Sequence, residues 1–267
     1  MLKERVITAL ALAVVLVGAL YFLPPVATVV LITLAVLAGA WEWSAFLGRT
    51  GLAARIAYGI FIAALLAVAW YATRDPGAEL LLLHVAVGWW IVAFLWITFA
   101  PGHVNPLTAA LAGVLVLVPS WVAMVHLRTE LPNGADWILF LLVLVAAADT
   151  GAFFAGRWFG RVKLAPRVSP GKTWEGVIGG MLASGTVAVL CSRWMGREAL
   201  PFFVLCMAAV AFSVIGDLTE SLFKRAAGLK DSGGLLRGHG GVLDRIDSLT
   251  AAAPVILAGL YAQGPVP

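Results

Sequence analysis

Apolar residues fall in long runs, and the polar residues are confined to the gaps between them. The runs cover residues 6–23, 26–46, 54–73, 79–100, 107–127, 137–156, 174–192, 199–220 and 248–263. A helix that crosses a bilayer needs about 20 predominantly apolar residues, so the pattern predicts an all-α polytopic bundle of about nine spanning helices. The first run follows Lys3 and Arg5 as the core of a signal peptide would. From Val6 to Leu23 it exceeds the usual core of about 7–15 residues and is read as an uncleaved first helix. No repeat, low-complexity linker or soluble domain interrupts the series. Residues 1–140 read as N-terminal transmembrane helices and residues 141–267 as a C-terminal transmembrane catalytic region, within one continuous membrane domain.

Composition excludes the ordinary soluble classes: 62% of residues are hydrophobic and 12% charged, where a soluble domain is about half apolar. Cys191 and Cys206 lie within or at the end of apolar runs without metal-ligand spacing and are read as packing residues.

Loops on the cytoplasmic side of a membrane retain Lys and Arg. With a cytoplasmic N-terminus, the nine-span pattern puts 14 of the 18 basic residues inside, leaving Arg74, Arg128, Arg193 and Arg197 outside. The net charge of +4 is thus concentrated in a cytoplasmic rim suited to anionic lipid headgroups and nucleotide phosphates. Membrane lipids are expected partners, and nucleic acid is not.

Topology alone accounts for Arg49 and Arg55, but it requires no carboxylates. Eight of the 14 acids nevertheless fall between residues 149 and 247, and all of these except Glu198 map toward the cytoplasmic side. Asp149 and Asp217 sit toward the cytoplasmic ends of apolar runs, where a charge calls for a partner or a function. Asp217, Glu220, Ser221 and Lys224 are three or four residues apart and share one helical face, as do Asp244 and Asp247. Two such faces meeting at the membrane surface would offer carboxylate oxygens to Mg²⁺ and leave positions for phosphate. Pairing of the same acids with Lys224, Arg225 and Arg245 is the structural alternative, and for Glu175 and Glu220 the two readings balance.

Two polar segments carry the chemistry. Ser221 to Asp247 gathers five basic residues, three aspartates, a histidine and six glycines. Arg167 to Gly176 contains Gly171-Lys172-Thr173, but Pro166 stands where a P-loop has its first glycine, and no strand is expected before it. The P-loop reading is rejected. Its physics remains: Ser169, Lys172 and Thr173 are expected on a tight Pro-Gly turn entering a helix, whose free N–H groups favour anions, with Thr173 also read as a helix cap.

Together these residues resemble the phosphatidate cytidylyltransferase family, also called CDP-diacylglycerol synthases. Its long motif is filled by Ser221, Lys224, Arg225, Lys230, Asp231, Gly233, His239, Gly240, Gly241, Asp244, Arg245 and Asp247. The segments around Asp149 and from Ser169 to Gly176 are also similar to the family, as is the pair Glu42-Trp43. The resemblance covers about 65 residues, 147–176 and 216–250, while the first 140 match mainly by hydropathy. Arg237 departs from the usual proline two positions before the histidine, which bears on the loop's geometry.

The resemblance implies transfer of the cytidylyl group of CTP to phosphatidate at the cytoplasmic face of a bacterial-type inner membrane, by an enzyme assembled as a homodimer. It implies catalytic roles for Asp217, Asp244, Asp247, Lys224 and His239. CTP and phosphate binding fall to Ser169, Lys172, Thr173, Ser221, Arg225, Gly240, Gly241 and Arg245. Metal ligation falls to Asp217, Asp244 and Asp247, with Asp149 a weaker candidate. The cofactor expected is Mg²⁺, with Mn²⁺ as a substitute and room for a second, monovalent cation. Two other classes remain open: a CTP-dependent lipid kinase or a cytidylyltransferase for another lipid phosphate, and an ion-coupled transporter using Asp149 and Asp217.

Overall fold

A computed structural model describes residues 14–48, 51–234 and 240–264. Lys3, Arg5, Arg49, Arg237 and His239 lie outside the described residues. Helix α1 covers residues 14–22. It is followed by α2 (Pro25–Trp43), a 3₁₀ turn over Ser44–Leu47, α3 (Leu52–Ala72), α4 (Pro76–Phe99), α5 (Pro106–Thr129) and α6 (Gly134–Phe159). A hairpin of β1 (Lys163–Ala165) and β2 (Ser169–Thr173) leads to α7 (Trp174–Ser192), α8 (Ala199–Ala226) and α9 (Leu243–Ala262). Among the described residues, seven helices, α2 to α8, are long and apolar enough to cross a membrane. The protein is an all-α, polytopic integral membrane protein.

Local chemistry starts several of these helices. Pro25, Pro76 and Pro106 occupy the first turns of α2, α4 and α5, where a missing N–H costs nothing. Asp75 Oδ2 accepts the Ala78 N–H at 2.8 Å, and Asn105 and Thr108 form a reciprocal capping box.

The charged helix ends extend beyond the hydropathy limits. Helix α8 continues six residues past position 220, to Ala226, and α9 begins at Leu243 rather than at position 248. Apolarity stops there, but backbone hydrogen bonding does not, because polar side chains on the two helices face each other. Lys224 Nζ lies 2.6 Å from Asp244 Oδ1.

Helix α9 is the centre of the packing and contacts α2, α4, α5, α6 and α8. Every residue from Ser248 to Leu257 is buried, so this stretch has no outward face. At its far end, about 25 Å from Asp244 by helical rise, a polar cluster ties α9 to the N-terminal helices. Glu79 Oε1 accepts the Tyr261 hydroxyl at 2.7 Å and lies 2.6 Å from His126 Nδ1, while the Thr73 hydroxyl is 3.3 Å from His126 Nε2. Glu79, His126 and Thr73 are all buried.

Helices α6 and α7 run together so closely that a Cβ on Gly180 would stand 2.7 Å from the Ala148 carbonyl oxygen. Backbone cannot yield as a flexible side chain does. Gly180→Leu is therefore expected to lower the thermal midpoint in detergent by several degrees, reflecting an overpacking cost of about 1–3 kcal/mol. A midpoint within a degree of wild type would show slack between these helices.

The hairpin corrects one expectation. Ser169, Lys172 and Thr173 lie on β2, paired antiparallel with β1 in the register Lys163↔Thr173 and Ala165↔Ser169, rather than on a Pro-Gly turn. The short link between neighbouring antiparallel helices satisfies part of its backbone by folding on itself. The Trp174 N–H extends the ladder by donating to the Val162 carbonyl at 2.9 Å.

Candidate active site

A cavity of about 640 Å³ opens between α6, the hairpin, α7, α8 and the start of α9. Asp149 and Arg157 enter it from α6, Lys172 and Thr173 from β2, Asp217 from α8 and Ser248 from α9. Its other wall is apolar, formed by Phe153, Val177, Val210 and Val214. Positive and negative groups thus meet beside a surface that lipid can wet.

Each polar side chain is held by its element. The Thr173 hydroxyl caps α7 by accepting the Gly176 N–H at 3.1 Å, so the cap reading holds and fixes β2 to the helix start. This places Lys172 two residues before Trp174, the first residue of α7, with Nζ 2.5 Å from Asp217 Oδ2. Both side chains remain more than a quarter exposed, so the pair stays accessible to a ligand. The Ser221 hydroxyl donates to Asp217 Oδ1 at 3.4 Å from one turn further along α8. Asp149 and Asp247 are each close enough to interact electrostatically with both Asp217 and Lys172.

A second charged cluster lies behind the first. Lys224 Nζ sits 2.6 Å from Asp244 Oδ1 and 3.3 Å from Glu220 Oε1. Asp244 Oδ2 accepts the N–H groups of Ser232 at 3.1 Å and Gly241 at 2.9 Å, so this carboxylate also organises the approach to α9. Glu220 is 2% exposed, with Asp247 as well as Lys224 close enough to interact with its carboxyl group.

The structure therefore brings Asp149, Lys172, Thr173, Asp217, Ser221 and Asp247 to one region and sets Lys224 and Asp244 beside it. Ser169 begins β2 opposite Ala165 and does not line the cavity. Arg225 turns to its own loop, donating to the Leu229 carbonyl at 3.3 Å, and Arg245 stands on an exposed position of α9. Gly240 has φ +84°, a left-handed conformation natural to glycine, at the approach to α9. Arg157 and Ser248 were not singled out by sequence. Arg157 stood among many rim cations, and nothing in the spacing of Ser248 distinguishes it from a packing serine.

The sequence model of the cytidylyltransferase family matches residues 3–262. The chain belongs to this family. It is 45% identical to a phosphatidate cytidylyltransferase of Pseudomonas aeruginosa over 271 residues, covering 99% of this chain and 98% of that one. It is 39% identical to one from Haemophilus influenzae over 280 residues, with 95% and 96% covered. A Brucella melitensis phosphatidate cytidylyltransferase is 44% identical over 161 residues, 58% of this chain and 59% of that one. As a member of the cytidylyltransferase family, the chain has relatives at both distances that carry the same activity in their names. The first two matches span the N-terminal helices, where the sequence resemblance rested on hydropathy and the Glu42-Trp43 pair.

Proposed function

We propose that this chain transfers the cytidylyl group of CTP to phosphatidate, giving CDP-diacylglycerol and pyrophosphate. The observation that carries the reading is the accessible Lys172–Asp217 pair beside an apolar wall, in a chain that matches phosphatidate cytidylyltransferases along almost its whole length. A phosphate oxygen of phosphatidate attacks the α-phosphorus of CTP. That P–O bond forms as the bond from the α-phosphorus to the bridging oxygen breaks, and the electron pair leaves with pyrophosphate. The attacking oxygen is already ionised, so the main obstacle is bringing two polyanions together and in line. Lys172 and Arg157 supply positive charge in the cavity, and the apolar wall suits the lipid backbone.

The donor set suits a hard divalent cation. Asp149, Asp217 and Asp247 offer oxygens within electrostatic reach of one another through Asp217, and the buried Glu220 carboxyl group lies next to Asp247. Among the described residues no group of three or more His, Cys, Asp or Glu side chains is arranged to hold a metal ion by itself, so phosphate and water would have to complete the coordination. Open positions left to water and phosphate are the habit of Mg²⁺. When bound, the ion would neutralise charge on the phosphates, and a monovalent cation would share the same oxygens.

Purified protein supplied with CTP, phosphatidate and Mg²⁺ should release pyrophosphate and a CDP-lipid. Release of CDP with a newly phosphorylated lipid would replace the reading with a lipid kinase. Transport of an ion without either product would replace it with a transporter.

The positive rim supports a cytoplasmic N-terminus and site in a bacterial inner membrane. With Cys191 and Cys206 replaced by Ala, Arg161→Cys should label only from the cytoplasmic side and Pro132→Cys only from outside. Reversed labelling rejects the orientation. The family resemblance supports a homodimer, expected to give a protein mass twice the chain's 28.1 kDa by light scattering in detergent.

A further inference from the structure

Helix α9 supplies no capping side chain for its own N-terminus. Its N-cap is Val242, which lacks an acceptor, and its first residue is Leu243. The first amides of a helix need partners from elsewhere. Here they find Glu42, some 200 residues earlier at the end of α2. Glu42 Oε1 accepts the Val242 N–H at 3.1 Å, and Oε2 accepts the Leu243 N–H at 2.8 Å and the Ser232 hydroxyl at 3.2 Å. The carboxylate is buried, with Glu42 only 2% exposed.

Both sides of this contact are built for it. A Cβ on Gly233 or Gly241 would collide with the Glu42 carboxylate, so the two glycines let the chain close around it. Trp43 locks the end of α2 in place, its Nε1 donating to the Ala109 carbonyl at 2.8 Å and its ring packing 5.1 Å from that of Phe223 on α8. Ser232 is held twice, through its hydroxyl by Glu42 and through its N–H by Asp244. Glu42 and Asp244 therefore pin the same two stretches of chain from opposite sides.

We infer that Glu42 is a positioning residue for cytidylyl transfer, setting the first turn of α9 and through it Asp244 and Asp247. The inference rests on the proposed function. Glu42 does not line the candidate cavity, so its effect passes through α9. A charged acceptor on helix N–H groups forms bonds roughly twice as strong as neutral ones, and the negative charge complements the helix dipole. Glutamine of the same size replaces one acceptor oxygen with an NH₂ that would face a donor. The first turn of α9 must then shift, and a displacement of about 1 Å at a distance from the chemistry costs up to roughly 10²-fold in rate.

The test uses full-length protein with CTP, phosphatidate and Mg²⁺. Glu42→Gln is expected to lower kcat per folded molecule at least about tenfold while leaving both KM values within about twofold, the pattern of an interaction used only in the transition state. The Mg²⁺ concentration for half-maximal rate should rise. Glu42→Asp, which keeps the charge, should recover part of kcat. A purely structural cap predicts instead that activity follows the folded fraction, with kcat per folded molecule and the Mg²⁺ requirement unchanged in both variants; that result overturns the inference. Should Glu42→Gln fail to fold, Ser232→Ala removes one donor to the same carboxylate. It should lower kcat severalfold at constant KM, and an unchanged kcat there is equally fatal. Wild-type protein that makes no CDP-lipid would instead remove the proposed function itself.

Discussion

Asp217→Asn is expected to reduce turnover by at least about 10²-fold per folded molecule while leaving the helical bundle intact. The two halves of this expectation have separate causes. Asp217 and Lys172 are 29% and 26% exposed at their side chains, so water reaches both, and an accessible ion pair contributes only about 0–1 kcal/mol to stability. Its loss should hardly move the melting midpoint. The site loses more. Asp217 is the carboxylate to which Lys172, Ser221, Asp149 and Asp247 all relate, and asparagine keeps its shape without its charge. Raising Mg²⁺ should recover part of the rate, because weakened binding of a cation is offset by mass action. Near-normal turnover in folded Asp217→Asn protein would mean that the reacting phosphates lie elsewhere.

Lys224→Met should give the opposite profile, a large loss of stability. Its ammonium is the counter-charge of Asp244 at 2.6 Å and of Glu220 at 3.3 Å, with the three side chains 11%, 15% and 2% exposed. Methionine fills the space but strands two carboxylates. Breaking a buried ion pair from one side costs about 3–5 kcal/mol, which for a chain of this size corresponds to a drop in melting midpoint on the order of 10 °C. The double variant Lys224→Met with Asp244→Asn should regain part of that drop, since it removes one of the stranded charges and leaves an amide oxygen for the N–H groups of Ser232 or Gly241. A single variant that melts like wild type would show that water or a proton already compensates these acids. Turnover per folded molecule in the double variant then reports whether Lys224 also meets phosphate.

The membrane architecture was legible because hydropathy is a property of one stretch of chain at a time. Each run from position 26 to position 220 corresponds to a helix within a few residues, and helical spacing put Asp217, Ser221 and Lys224 on one face. The charged extensions of α8 and α9 were invisible to the same rule, which ends an element where polarity begins. The hairpin escaped for another reason: Ser169-Pro170-Gly171-Lys172-Thr173 has neither alternation nor β-branched enrichment, and only the proximity of α6 and α7 makes it pair. Partner choice was legible only in part. The spacing of acids and bases did not show that Asp244 gives one oxygen to backbone N–H groups, and no local pattern links Glu42 to Leu243.

The central position of α9 also orders events during synthesis. Until its residues leave the ribosome, the groups that α9 brings to Glu42 and Glu79, the Val242 and Leu243 amides and the Tyr261 hydroxyl, have not yet been made. A nascent chain stopped before Val242 would lack these partners for both carboxylates. The polar contacts of α2 and α4 are thus completed only when α9, made well after them, arrives.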